Sequence, residues 1–271
     1  MSTDTETQPH VGCSIGADGR ITFDLPPGSP EGQRLLLGLR PKKGQPEETV
    51  HVLDFEPAGE RRCAVLDADP VLAEGRWDVY LLPEPGAERQ RLRAGLRDLR
   101  ALVDGHRRHR PSPVAVRIPY MTKDGHLAVR AWLRTTHVEA EAVDVTGRSM
   151  TVRARLHGAS LQEGAVVSLG LRGAGATART VEPRAEDEGR SLSFTVDYAE
   201  LAGGTPSGAG VWDVFVRPAA QAPRIRVGRL LDDLADRKEI VVYPTADVGG
   251  AALRPYYTVD NDLSVEVGAN A

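Results

Sequence analysis

Gly75-Arg76-Trp77-Asp78-Val79-Tyr80-Leu81 returns 135 residues later as Gly210-Val211-Trp212-Asp213-Val214-Phe215-Val216. Pro119-Tyr120-Met121-Thr122, a turn and Leu127-Ala128-Val129 return at an offset of 136 as Pro255-Tyr256-Tyr257-Thr258, a turn and Leu263-Ser264-Val265. Leu37-Gly38-Leu39-Arg40 aligns with Leu169-Gly170-Leu171-Arg172 at an offset of 132. Segments kept in order at nearly one spacing mark an internal duplication. The spacing drifts because loops differ between the copies, the stretch from Gly203 to Ala209 being longer than its counterpart before Gly75. Duplication also weighs against catalysis by any residue that both copies share, since such a side chain belongs first to the scaffold.

Between turn signals the chain alternates apolar and polar residues with the period of a half-buried strand. Ile21 to Leu25, Leu35 to Leu39 and Cys63 to Leu66 do so in the first copy; Met150 to Leu156, Ala165 to Leu171 and Ser191 to Val196 answer in the second. Leu127 to Leu133 reads as the last strand of the first copy and His137 to Val145 as the first strand of the second, with Arg134-Thr135-Thr136 between them. The expected organisation is a polar tail over residues 1–10, one β-sandwich over 11–134, a second over 135–268 and a short tail over 269–271. One stretch carries a helical spacing: Leu92, Leu96, Leu99, Leu102 and Val103 predict a strand followed by a short helix or irregular crossover, and Arg229 to Ala235 is similar in composition.

At 271 residues the chain is long enough for two domains, each with its own core. The first ten residues have neither a basic start nor an apolar run, and no stretch approaches the roughly 20 apolar residues that cross a bilayer. These features predict a cytoplasmic protein without a membrane span. Cys13 and Cys63 lack the clustering of a zinc site and read as inert thiols in a reducing compartment, the alternative being a bridge between two strands. The net charge of −4 conceals an asymmetry: residues 11–134 carry 20 Lys or Arg against 17 Asp or Glu, and residues 135–271 carry 14 against 19. Neither copy has the strongly basic balance of a nucleic-acid binder.

An apolar strand ending near Asp67 or Asp197, a loop, and then Gly-x-Trp-Asp-Val-aromatic resembles the corner that leads into strand F of immunoglobulin-like sandwiches, with Trp77 and Val79 inward and Asp78 and Tyr80 outward. The cysteine pair of antibody domains is absent. Joined to the terminal Pro-Tyr-x-Thr, polar turn and Leu-Ser-Val, the pattern also looks like the accessory β-sandwich modules that accompany glycosyltransferases and polyol-phosphate transferases of high-GC bacteria. That resemblance implies an all-β fold of two tandem immunoglobulin-like sandwiches and an association with transferases. It carries no catalytic residue across.

Tests for chemistry mostly favour structural readings. Asp67-Ala68-Asp69 follows a strand as a metal-binding Asp-x-Asp does, but the second copy has Asp197-Tyr198-Ala199 there, so a turn explains both. Asp260-Asn261-Asp262 matches the hairpin residues Asp124-Gly125-His126 and reads as a solvated turn rather than a calcium site. Gly203 to Gly210 lacks the ending of a phosphate-binding loop and reads as a flexible loop. No nucleophile elbow, zinc-protease helix or dinucleotide fingerprint occurs, and no cofactor is implied.

What distinguishes the copies is an arginine-rich segment. Arg89, Arg91, Arg93, Arg97, Arg100, Arg107, Arg108 and Arg110, with His106 and His109, crowd into 22 residues holding only Asp98 and Asp104 as acids. Guanidinium forks grip phosphate and carboxylate in pairs, so Arg93, Arg97, Arg100, Arg107, Arg108 and Arg110 form the candidate surface for an acidic partner or anionic ligand. The competing reading is a solvated arginine-rich loop. The function expected is that of a non-catalytic accessory or scaffold protein that binds and supports a partner transferase. The alternatives are a transferase with an unrecognised site, or a stand-alone module that binds a carbohydrate or anionic polymer.

Overall fold

The computed structural model describes residues 9–269 apart from 42–43, 47–49, 70, 106–109, 111, 175–177 and 207. It is 54% strand and 6% helix, an all-β protein. The chain divides into two compact units. The first runs through residue 108, takes in residues 115–133 and is completed by Leu231–Ala235; the second comprises 109–114, 134–230 and 236–271.

The elements in the first part of the chain are β1 (His10–Ile15), β2 (Ile21–Leu25), β3 (Arg34–Leu39), β4 (Val50–Asp54), β5 (Glu56–Ala58), β6 (Arg61–Leu66), β7 (Gly75–Leu82), β8 (Gln90–Arg91), β9 (Arg93–Asp98), α1 (Arg100–Gly105), β10 (Val114–Met121) and β11 (Leu127–Arg134). They form a five-stranded sheet in the order β5-β6-β2-β1-β9 and a second sheet in the order β10-β11-β7-β3-β4, with β8 on β7. Alternation decides what is buried: Val11, Cys13, Ile15, Ile21, Phe23 and Leu25 on the first sheet and Leu35, Leu37, Trp77, Val79 and Leu81 on the second are at most 6% exposed. Between β8 and β9 the chain leaves one sheet for the other, with fully buried Leu92 at the crossing.

The rest of the chain supplies β12 (His137–Val145), β13 (Ser149–His157), β14 (Val166–Leu171), β15 (Ala178–Val181), β16 (Arg184–Glu186), β17 (Ser191–Asp197), α2 (Tyr198–Gly203), β18 (Gly210–Arg217), β19 (Ile225–Gly228), β20 (Ala246–Val248), β21 (Ala251–Tyr257) and β22 (Leu263–Ala269). Here the pairing path is continuous, β16-β17-β13-β12-β19-β18-β22-β21-β20, with β14 on the other edge of β18 and β15 beyond it. Its core gathers Val138, Val152, Phe194, Trp212, Val214 and Val265, among others.

The two units repeat their pairings around the tryptophans. Trp77 lies between Leu39 and Val129 on the neighbouring strands, and Trp212 between Leu171 and Val265. Both indoles are fully buried. The leucine-spaced segment splits as its chemistry dictates: Leu92 joins the core, Leu96 is 92% exposed on β9, and only Arg100–Gly105 is helical. Residues 231–235 contain bends and no helix.

Candidate functional site

The arginines that look like one patch in the sequence are dispersed by the sheet. Arg89 lies over the Tyr80 ring at 4.4 Å, and Arg91 Nη2 bonds Asp78 Oδ1 at 2.8 Å, so both serve the outer face of β7. Arg93 donates from Nη1 to the Asp124 carbonyl, bracing the β10–β11 turn. Arg97 and Arg100 are the pair that come together: with Leu99, Val103, Asp104 and Asp233 they line an open cleft of about 460 Å³. Arg100 grips Asp98 through two bonds of 2.9 and 2.6 Å, and that contact holds the Asp98 carboxyl down at about 2. Arg110 belongs to the second unit, where its N–H donates to His157 Nδ1 at 3.3 Å. Arg107 and Arg108 lie outside the described residues.

A different constellation, built in both units, has no counterpart in the sequence expectations. At the end of β3 the Arg40 fork bonds both oxygens of Asp78, at 3.1 and 2.6 Å, while Arg91 reaches the same carboxylate. At the end of β14 the Arg172 fork bonds both oxygens of Asp213, at 3.3 and 2.6 Å, and Arg226 Nη1 lies 2.8 Å from Oδ1. Ser264 completes the second node: its hydroxyl accepts from Arg226 at 3.2 Å and donates to Asp213 at 2.9 Å. An aromatic ring sits two residues beyond each aspartate, Tyr80 under Arg89 and Phe215 under Arg224 and Arg226 at 4.7 and 5.0 Å.

The electrostatics follow from these bonds. Hydrogen bonding to Asp78 raises Arg40, and hydrogen bonding to Asp213 raises Arg172. Burial pushes Asp213 upward, but its bonds from Arg172, Arg226 and Ser264 outweigh that and leave it below the usual carboxylate range. The signal was present in the sequence as Leu-Gly-Leu-Arg and Trp-Asp repeated together. Reading the pair as partners required knowing that β3 and β7, and β14 and β18, are neighbours.

The units also differ in the turn beside the node. In the second, Asp262 Oδ2 stands 3.6 Å from Arg226 Nε, and burial raises the Asp262 carboxyl. The matching turn of the first unit places His126 there: Thr122 N–H donates to the His126 carbonyl as Thr258 N–H does to that of Asp262, each at 2.8 Å. Burial, then Arg91 and Arg93, lower the His126 imidazole.

The turn at Asp260-Asn261-Asp262 is solvated only in part: Asp260 is exposed, as its composition predicts, but its neighbour is not. Asn261 is fully buried at φ 59°, its carbonyl accepts from Arg229 N–H at 3.0 Å, and its side-chain oxygen accepts from Arg237 N–H at 3.1 Å. Asparagine tolerates this left-handed conformation and so holds the turn while its amide is used inward. The glycine-rich stretch also departs from the expected loop at its start. α2 ends at Gly203, and buried Thr205 donates to the Leu201 carbonyl at 2.7 Å and accepts from Trp212 Nε1 at 3.0 Å. Asp67 pairs with Arg20 at 2.9 Å and its carbonyl accepts from buried Arg117 at 2.6 Å, which is turn chemistry; Asp197 caps α2 by accepting from Ala199 N–H at 2.8 Å.

Further polar groups are buried in the second unit. His137 Nε2 lies 2.7 Å from Glu139 Oε2, which also accepts from Leu230 N–H at 2.8 Å, and the His137 and His157 rings stack at 6.3 Å. In the first unit Cys13 and Cys63 are free thiols, and burial pushes Cys13 up to about 12, away from the reactive thiolate. Among the described residues no three His, Cys, Asp or Glu side chains converge as metal ligands. No helix among them is long and apolar enough to cross a membrane.

No family model matches the chain, and no curated protein matches it. Solved structures similar to part of it include the crystal structure of S. aureus TarS, 15% identical over 62% of this chain and 31% of that one, with a TM-score of 0.40. Another is the crystal structure of S. aureus TarS 217–571, 16% identical over 69% of this chain and 55% of that one, with a TM-score of 0.31. The chain therefore spans less than two thirds of the length of either.

Proposed function

We propose that this chain is a non-catalytic accessory protein, built from two tandem immunoglobulin-like sandwiches over residues 11–134 and 135–268, that binds and supports a partner transferase in the cytoplasm. The partner's docking surface is the β9–α1 segment of the first unit. One observation carries this: Leu96 is 92% exposed on β9, where it lines an open groove with Arg61 and Asp98, while Arg97, Arg100 and Val103 line a second cleft of the same segment. A large apolar side chain standing open beside guanidinium groups fits an acidic protein surface with an apolar anchor. At the comparable place in the later part of the chain Leu231 is 2% exposed and Asp232 follows it, so the surface is not shared. The twofold repetition of the Arg–Asp–Arg nodes supports a scaffold for both.

The test is to recover the tagged full-length chain from its native host and assay the captured fraction for sugar or polyol-phosphate transfer. The expected result is transfer activity in that fraction and a marked loss of it with Leu96→Ser. Transfer by the purified chain alone would establish the enzyme reading instead. Retention of a purified anionic polysaccharide, with no transfer activity captured, would favour the stand-alone binding module.

A further inference from the structure

The two nodes hold the same aspartate and the same two arginines but different numbers of counter-charges. In the second unit Arg172 and Arg226 face two carboxylates, Asp213 and Asp262. In the first unit Arg40 and Arg91 face Asp78, and His126 stands where the second carboxylate would be. Arg93 lies opposite His126 across an antiparallel bridge, and Arg89 lies over the Tyr80 ring. Asp124 is the other acid near His126.

Arg91 Nε and His126 Nδ1 are buried and have no hydrogen-bond partner among the described residues. The second unit also leaves Arg226 Nε without a hydrogen bond, but sets the Asp262 carboxylate 3.6 Å from it. A buried donor left unmade costs about 1–3 kcal/mol, and more where the group is charged, so Arg91 Nε–H calls for an acceptor, as does His126 Nδ1 in the tautomer that carries its proton there. The Arg91 side chain is 30% exposed, which leaves the node open to solvent from its outer face.

We infer that the first unit binds an oxyanion, a phosphate or a carboxylate, at Arg91 and His126, the bound group supplying the negative charge that Asp262 supplies internally in the second. Arg91 Nε–H and the Nδ1–H tautomer of His126 donate to it, and Arg89 and Arg93 strengthen the local field. Asp78 remains with Arg40, so the ligand adds to the node and does not displace its carboxylate. The site uses Arg93 at the start of β9 but not Leu96, Arg97 or Arg100, and does not depend on the accessory reading.

Exchanging the two residues tests this. Inorganic phosphate and, separately, acetate are titrated into the full-length protein at low ionic strength by calorimetry, with wild type, His126→Asp and Asp262→His compared. Wild type is expected to bind at least one of the two anions, and His126→Asp, which brings its own carboxylate, to bind it about tenfold or more weakly. Asp262→His is expected to gain a site. Phosphate without acetate assigns the site to phosphate groups, and acetate binding extends it to carboxylates. Nitrogen resonances of the His126 ring in wild-type protein provide a reading independent of any variant's folding: they should move during the titration with the calorimetric midpoint. Unmoved resonances, no binding of either anion by wild type, or undiminished binding by His126→Asp would overturn the inference.

Discussion

Asp78 and Asp213 are held alike, yet the two aspartates carry unequal burdens. Asp213 shares Arg226 with Asp262 and has the Ser264 hydroxyl as a third partner; Asp78 meets Arg40 and Arg91 with a histidine in the neighbouring place. The tryptophans show the same kind of divergence. Trp77 Nε1 donates to a backbone carbonyl, that of Ala73, whereas Trp212 Nε1 donates to the Thr205 hydroxyl at the end of α2. In both cases strand pairing is kept and the partner that completes the polar groups has changed. A repeated framework thus tolerates exchange of the individual partners that complete its polar groups.

The comparison would break most visibly at the tryptophans. Because each is fully buried between two strands, Trp77→Ala and Trp212→Ala should each cost about 3–5 kcal/mol, read from urea unfolding. Near-wild-type stability of either variant would show that the two cores are not built alike. The next largest effect separates the nodes. Asp78→Asn should cost about 3 kcal/mol, because it leaves Arg40 and Arg91 facing each other without a carboxylate. Asp213→Asn should cost less, about 1–2 kcal/mol, since Asp262 remains to offset Arg226. Equal losses would mean that Asp262 does nothing for the second node.

Much of the strand framework was legible because inward and outward residues alternate along a strand. Met150 to Leu156 and Ser191 to Val196 are strands, and Trp77 and Trp212 are buried. The nodes were not legible in the same way. Asp78 is outward by alternation, as read, but an outward carboxylate looks solvated until Arg40, 38 residues away, is known to stand on the next strand. Arginine crowding misled in the opposite direction, because residues adjacent in sequence diverge when the chain changes sheets at Leu92. Asn261 failed as a solvated turn residue for a similar reason: its composition sets the backbone angle, but Arg229 and Arg237, from a distant segment, decide its burial.

A smaller effect comes with pH. His126 is lowered below its ordinary 6.5, so the native state resists a proton that the unfolded chain accepts. Its contribution is therefore present above about 6.5 and lost as pH falls through the lower native value. Asp262 has the opposite sign: its raised carboxyl favours the native state below its ordinary value of 3.8 and loses that contribution as pH rises through the native value. Acidification from pH 7.5 to 5 should thus weaken the protein through His126, and His126→Asn should flatten that part of a melting-temperature profile. An unchanged slope in the variant would show that His126 is not the group responsible.

The smallest stability change is expected where the two parts of the chain differ most in exposure. Arg100 is 85% exposed, and its bonds to Asp98 are local, spanning two residues on the surface. Exposed pairs of this kind contribute little, so Arg97→Ser with Arg100→Ser should leave the unfolding midpoint close to that of wild type. Binding should respond differently, because a docking surface spends its charges on the encounter with a partner and not on the fold. With a purified partner in hand, the double variant should slow association, and the deficit should shrink as salt rises from roughly 50 to 200 mM and screening shortens the reach of each charge. A double variant that loses several kcal/mol of stability would make these arginines part of the framework. One that associates at the wild-type rate at low salt would leave Leu96 without its electrostatic setting and remove this surface from the comparison.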